Sequence, residues 1–527
     1  MRQKMKLIKT IVILAVVTAA LSTIPDAGGA EADKEAWEAL TRKYELLKET
    51  GPESKLPAPP VISDDAAVRE GAWYLLAGKY GSIYAADSGG EAISVELLSR
   101  WWSALEDSTL DGLIMEALSN NRDLRAARSR MMEARAALGI SRASALPWLD
   151  SADTWTNNKS SENSSGGGNR AEITKFGIDA SWEIDVFGAK KDDTRAAEAT
   201  LEASHAALHS AWVTLSSEVA FNYLSLRTLQ ERLRIANLNL ELREETLSML
   251  ASLHDAGLRD SLALNQAKYA AEMTRASIPS IKSNIEIVMN ALAIMTGRVP
   301  GSLEQSLAQP GPIPKARYIS LDRIPADTIR QRPDIRAAER ALAAQISKKA
   351  SAEKDLLPKF FLSGSIGLET LSGGGLFSGD SIGFAFGPRI TLPIFHGGAI
   401  RKNIQVQAER EEQLLAAYEG TVLDAVAEVR NALAASAQES ERDRILRSGL
   451  ASARAALEIA GDKYGNGLTS FSDVINAQDA LLSFEDQIAI SEGQMTSNVV
   501  RIYKALGGGW APLAEEGAEK TPARDIK

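Results

Sequence analysis

The chain has 527 residues, carries a net charge of −10 and contains no cysteine. An acidic chain without a basic cluster is a poor partner for nucleic acid, and none is expected. Without cysteine there is no disulfide framework and no thiol for a lipid thioether, so a lipid anchor is not expected either. No segment reaches about 18 uninterrupted apolar residues, so no membrane-spanning helix is expected.

Residues 1–30 read as an export signal. Arg2, Lys4, Lys6 and Lys9 form a basic start, Ile11 to Leu21 an apolar run, and Gly28-Gly29-Ala30 a small-residue cleavage site. Residues 31–105 read as an arm with Pro57, Pro59 and Pro60, followed by short helices around Trp101-Trp102. From Asp107 to Ala145 the pattern is helical, and Pro147 ends it.

Two strands are expected next, at about 148–159 and 171–187, around the polar loop from Ser160 to Asn169. In the second, Phe176, Ile178, Ala180, Trp182 and Ile184 alternate with Lys175, Gly177, Asp179, Ser181, Glu183 and Asp185. A period of two is a strand with one apolar face. The first strand alternates less cleanly because of Asp150 and Asp153. A long helix is expected over 189–252, with one seam through Trp212, Val219, Leu226, Leu233, Leu240 and Leu247. A second runs through Leu208, Leu215, Asn222, Leu229 and Ala236. Sustained heptads mark a coiled-coil seam. A turn at Gly257-Leu258 leads into a return helix over 259–296, which ends at Gly297.

The same order then recurs. After a linker at 301–330 come a helix from 331 and strands at about 358–369 and 381–395. A long helix at 399–462, a turn at Gly467-Leu468, a helix at 470–506 and a tail at 508–527 follow. Ile184 falls on Ile394, Gly188 on Gly398, Gly257-Leu258 on Gly467-Leu468 and Gly297 on Gly507, all at one offset. Residues 106–300 and 331–507 are thus two copies of one unit.

A soluble sandwich shows the same alternation as a membrane barrel. Four strands are too few for a closed barrel, and an open sheet in lipid leaves unpaired backbone groups at several kcal/mol each. The expected fold is therefore an α+β membrane protein. Its duplicated unit gives four strands per chain to a barrel shared between chains, and its helices form a long coiled-coil tunnel. Three chains would supply about twelve strands.

Several motifs stand in order: Trp101-Trp102, Asn121-Arg-Asp-Leu124, Trp182-Glu-Ile-Asp-Val-Phe-Gly188, Gln331-Arg-Pro-Asp-Ile335, Leu392-Pro-Ile-Phe395, Tyr464-Gly-Asn-Gly-Leu468 and Leu506-Gly-Gly-Gly-Trp510. Together they resemble the TolC-like outer-membrane efflux protein family, in the branch that serves resistance-nodulation-division pumps. The resemblance covers about residues 60–512. It implies a homotrimer in outer-membrane lipid, with a twelve-stranded barrel, a periplasmic helical tunnel and an equatorial belt. It also implies docking on a periplasmic membrane-fusion adaptor and an inner-membrane pump. Many members of the branch carry an acylated N-terminal cysteine, which this chain lacks.

The resemblance places the periplasmic gate at Asp473, Tyr464 and Asn476, with Asp260 nearby in the first copy. Three copies of Asp473 would form a negative ring; equally, Ser470-Phe-Ser-Asp473 is a capping-box pattern. Gly257, Leu258, Gly467 and Leu468 match the adaptor-docking tips, and they also match C-cap glycines followed by a hydrophobic contact. Tyr464 and Asp473 stand where the first copy has His254 and Ala263, making the second tip the expected moving gate. Lys175, Asp179, Glu183, Lys359, Glu369 and Arg389 are the expected barrel-lumen residues.

Arg332-Pro333-Asp334 reads as a structural helix start. His205 and His209 are spaced as helical metal ligands can be, but no third ligand accompanies them, so no metal or cofactor is expected. No catalytic constellation is present, and no enzymatic activity is expected. The expected function is passive conduction of solutes from pump to exterior. A duct for type I protein secretion is the alternative, and a periplasmic coiled-coil scaffold a weaker one.

Overall fold

The computed structural model describes residues 98–315 and 329–510, apart from 164, 166, 259, 372 and 373. The export signal, the arm before residue 98, part of the linker and the tail beyond 510 lie outside the described residues.

A short 3-10 turn, Trp101–Leu105, precedes α1 (Ser108–Asn120) and α2 (Arg122–Ala143). The strands β1 (Trp148–Ser151), β2 (Thr154–Lys159) and β3 (Arg170–Ile184) come next. Then follow α3 (Ala189–Asp255), α4 (Ser261–Met295) and the single turn α5 (Glu304–Leu307). The second copy comprises α6 (Pro333–Lys354), β4 (Lys359–Leu371), β5 (Ile382–Thr391), α7 (Ala399–Gly465) and α8 (Phe471–Ala505). The copies match in length: 67 residues each for α3 and α7, 35 each for α4 and α8, and 22 each for α2 and α6. At a rise of 1.5 Å per residue the long helices extend about 100 Å.

The sheet is antiparallel throughout, in the order β1-β3-β4-β5, with β2 also paired to β3. The blurred alternation of the first strand has a structural cause: it breaks between β1 and β2, where the Ala152 N–H donates to the Gly177 carbonyl at 3.0 Å. β5 stops at Thr391, short of residue 395, and Pro393 two residues on has no N–H for a ladder. Among the described residues β5 pairs on one side only, with β4, and Pro388 lies opposite Leu362 there.

α3 is the central helix. It packs against α2 and α6 along one part of its length and α4 and α8 along another; α7 packs on α6 and α8. The largest core cluster joins both copies to the 3-10 turn and α1: Trp101, Trp102, Leu110 and Ile114 pack with Val219, Tyr223, Leu224, Leu292, Val500 and Tyr503. Trp101 stacks on Tyr503 at 5.7 Å. Full burial of such side chains contributes roughly 1.5–3 kcal/mol each, so this cluster fastens the C-terminal ends of α4 and α8 to the middle of α3.

Candidate functional site

Two regions carry unusual surface chemistry: the sheet and the helix tips. In the sheet, register places Phe176, Leu368 and Ile382 in one row, Ile178, Ile366 and Phe384 in the next, and Ile184, Phe360 and Ile390 in a third. Much of this face is open: only its end toward α2 and α3 touches the rest of the chain, through Phe360 on Phe187 and Trp182 on the Ala145 carbonyl. Ile178 is 52%, Ile366 57% and Phe384 83% exposed. Trp148 and Trp182 lie toward one end of the sheet, and Trp155 toward the loop end, where its Nε1–H donates to Glu172 at 2.9 Å. An apolar band with tryptophan toward its ends is the distribution of a lipid-facing surface.

The other face is polar. Lys175 and Glu369 pair across β3 and β4 at 3.0 Å. Asp179 sits opposite Asp150 on one side and Ser365 on the other, a carboxylate neighbour that sequence alone did not assign. Glu183 and Arg389 flank Phe361 in register, with the Arg389 guanidinium 5.1 Å from the ring centre. Glu183 also pairs with Lys190 at 3.4 Å, and Lys359 turns to Asp355 at 2.9 Å. The six candidate lumen residues therefore stand as a pair, a stacked group around Phe361, a carboxylate beside Asp150, and a lysine held at the rim.

At the tips, Gly257 and Gly467 have φ of +69° and +70°, a conformation open to glycine at little cost. The Leu258 N–H donates to the Leu253 carbonyl at 2.9 Å, and the Leu468 N–H to the Lys463 carbonyl at 2.8 Å. Both turns close as Schellman motifs. The hydrophobic contact that often accompanies this motif is missing: Leu258 and Leu468 are 69% and 76% exposed. Behind them, Leu250, Ala263, Ala267 and Ala270 pack with Phe471, Val474 and Ile475. The Tyr464 ring packs on Phe471 at 5.2 Å.

Asp260 is the N-cap of α4, its carboxylate accepting the Ala263 N–H at 3.1 Å. The corresponding residue in the second copy is Ser470. Its hydroxyl makes no cap bond to the backbone; it donates to Asp473 at 3.0 Å, as does the Thr469 hydroxyl. The reciprocal capping box is thus only half formed. These hydroxyl bonds, Thr469 first, hold the Asp473 carboxyl below its ordinary range, so it stays charged in mildly acidic surroundings. Asn476 is exposed one turn further on.

Arg243 was not singled out from sequence, although it is the next position of the seam through Leu229 and Ala236. Its side chain is 7% exposed. Nη1 donates to the Ala270 carbonyl of α4 at 2.9 Å, and Nη2 donates to Asp479 of α8. Arg232 makes a bidentate pair with Asp486 of α8, at 2.6 and 3.1 Å. On its other side α8 is tied to α7 by Arg447–Glu492 at 2.7 Å and Arg454–Glu485 at 3.4 Å.

His209 packs in a stack on α3, 4.6 Å from His205 and 4.9 Å from the Trp510 ring. Burial, then His205, then Arg336 push its pKa down to about 4. Its unfolded value is the ordinary 6.5. Between those values the unfolded chain binds the proton and the folded chain does not, so folding stability falls as pH drops from 6.5 toward 4. His209→Gln is expected to lose less thermal stability than the parent between pH 7 and pH 4.5. Equal losses would show that His209 does not titrate in this way.

The profile of the family described as Outer membrane efflux protein matches residues 113–298 and 324–508. Over 416 residues the chain is 33% identical to outer membrane protein OprJ of Pseudomonas aeruginosa, covering 78% of this chain and 86% of OprJ. It is 30% identical over 421 residues to Nodulation protein T of Rhizobium leguminosarum, covering 79% and 89%. Among solved structures, the outer-membrane channel OprN superposes with a TM-score of 0.76 at 30% identity, covering 88% of this chain and all of that one.

Proposed function

This chain belongs to the outer membrane efflux protein family, and from that premise we propose that it is the outer-membrane duct of a three-part export machine. Three chains close into one barrel of about twelve strands, continued by a periplasmic helical tunnel, through which solutes pass without energy input from this protein. An adaptor in the periplasm and a pump in the inner membrane, of the resistance-nodulation-division type, supply the cargo.

The observation that carries the reading is the four-stranded sheet, β1 and β2 counting as one broken strand. Its outward face is apolar and its edge strands, β1/β2 and β5, have no further partner among the described residues. In lipid each unpaired edge group costs several kcal/mol, so edge must meet edge between chains. The helices support the same closure. Val406, Ile445 and Ile459 on α7 are exposed, as are Ile140 on α2 and Met273 and Ile287 on α4. α7 of one chain meeting α2 and α4 of the next would cover them.

In this arrangement the polar sheet face lines the barrel. Asp473, with Asn476 behind it, lies toward the threefold axis at the tunnel's closed end. Its charge favours cations and gates the passage. The test is to extract the protein in detergent, determine its mass and record it in a planar bilayer. A trimer with a small conductance that rises in Asp473→Ala is expected. A monomer silent in both forms would end the proposal.

Leu258 and Leu468, exposed at turns fixed by their backbones, are the adaptor's contact. Covering one leucine contributes roughly 1.5–3 kcal/mol, about tenfold or more in affinity. Leu258→Asp and Leu468→Asp are each expected to weaken adaptor binding at least tenfold, measured by surface plasmon resonance, without changing Tm. Unchanged affinity would remove the tips from the docking surface.

A further inference from the structure

The duplication supplies a template for a contact that one chain cannot make with itself. α2 and α6 correspond residue by residue over 22 positions each, and α3 and α7 over 67. α6 packs on its own long helix, α7, and also on α3 of the first copy. A seam with spacings of three and four runs along α6 through Ala337, Arg340, Ala344, Ser347, Ser351 and Lys354, all buried or half-buried. Two of these residues find acids on α3: Arg340 pairs with Glu202 at 3.0 Å, and Lys354 pairs with Asp192. The later residue of α6 meets the earlier residue of α3, so the two helices run antiparallel. The seam of α3 beside those acids, Asp192, Ala196, Ala199, Ala203 and Ala206, is likewise buried or half-buried.

The corresponding seams of the other two helices are bare. On α2 it runs through Ala126, Ser129, Glu133, Ala136, Ile140 and Ala143, every one exposed. On α7 it runs through Lys402, Val406, Glu409, Gln413 and Ala416, every one exposed. The same spacing that is covered between α6 and α3 is thus uncovered on α2 and α7.

We infer that α2 of one chain seats on α7 of the next, antiparallel and in the register that α6 holds on α3. The two surfaces differ, so the contact is head-to-tail and a ring is its closed form. This rests on the reading of the chain as a self-assembling duct, and adds to it which seams meet and in what register. Ser129 then stands in the place of Arg340, facing Glu412, and Ala143 stands in the place of Lys354, beside Lys402. Neither ion pair of the template recurs between chains. Counting along the antiparallel helices sets Glu133 level with Arg410 and Arg122 level with Glu419, opposite charges in both cases. None of these four is paired among the described residues.

The absence of cysteine makes the test direct. In the full-length detergent-extracted protein, Ser129→Cys is combined with Glu412→Cys, and separately with Lys402→Cys, about 15 Å away along α7. Light scattering reads the mass of the assembly. A short bis-maleimide and denaturing electrophoresis then read the linkage. The first pair is expected to join different chains at least ten times faster than the second. Ser129→Arg, which restores the counterpart of Arg340, is expected to dissociate about twofold more slowly than Ser129→Glu, a gap that high salt closes. An assembled protein whose two cysteine pairs link equally, or link only within one chain, would overturn the register and leave the duct standing. Equal dissociation of the arginine and glutamate variants would overturn it too. A protein that is monomeric before linkage would overturn both readings.

Discussion

Replacing Arg232 and Arg243 together by alanine is expected to raise the bilayer conductance several-fold while the protein stays folded. α8 carries acids on two faces. Asp479 and Asp486 meet Arg243 and Arg232 of α3, and Glu485 and Glu492 meet Arg454 and Arg447 of α7. If the part of the α7–α8 pair on the tip side of Glu428 swings as a unit, its internal ion pairs travel with it, the ties of Glu411 and Glu428 to α6 stay outside it, and the two pairs to α3 must break. A hydrogen bond to a charged group contributes roughly 1.5–3 kcal/mol, so each pair biases closure by about tenfold or more. Alanine leaves Asp479, 57% exposed, to be solvated by water. The opposite change, Asp479→Ala, strands a nearly buried guanidinium and is expected to lower Tm as well. Arg447→Ala breaks a pair within the moving unit and is expected to leave conductance unchanged. A double alanine variant that is folded but conducts like the parent would show that these pairs are structural ties only.

This pair of ties is not duplicated. The positions that correspond to Arg243, Asp479 and Asp486 in the other copy hold Ala453, Tyr269 and Ala276. Repetition explains the shared architecture, and these substitutions give α3 and α8 a bond with no counterpart between α7 and α4. The tip difference seen earlier, Tyr464 and Asp473 against His254 and Ala263, lies beside the same helix.

Gly367→Val is expected to abolish the folded sheet. Gly177, Gly367 and Gly383 face one another across β3, β4 and β5. A Cβ at Gly367 would stand 2.3 Å from the Phe176 carbonyl oxygen and 2.8 Å from the Gly177 Cα, both backbone atoms that cannot rotate away. At Gly177 the nearest atom would be at 3.3 Å, and at Gly383 nothing lies within 4 Å. Overpacking alone costs typically 1–3 kcal/mol, and forcing apart the two strands that join the copies adds lost ladder bonds. Three alanine substitutions in one row should therefore rank Gly367, Gly177, Gly383 in falling damage. Heat-resistant assembly on electrophoresis reads the order. A Gly383→Ala variant as damaged as Gly367→Ala would contradict this close approach.

The alternation of Phe176, Ile178, Trp182 and Ile184, the heptads from Leu208 onward and the turn glycines were legible without coordinates. Each depends on a residue's own preferences and on neighbours a few positions away. The duplication was legible for a related reason: two copies of one unit repeat the same local constraints. Asp260 and Ser470 were harder, because a capping residue and a gate residue look alike until the direction of the hydrogen bond is known. The exposure of Leu258 and Leu468 could not be read either, since a Schellman turn normally folds its leucine back.

The remainder was decided by distance along the chain. Arg243 could be placed in a seam by counting, but its partner Asp479 lies 236 residues away, and Arg232 and Asp486 are 254 apart. β3 pairs with β4 from the other copy, and the arginines of α2 and α6 converge on one groove only because both helices pack on α3. Periodicity states which face of an element is apolar or charged. It does not state which other face it will meet, because that choice is made by the free energy of the whole packed chain, and there only the tertiary structure decides.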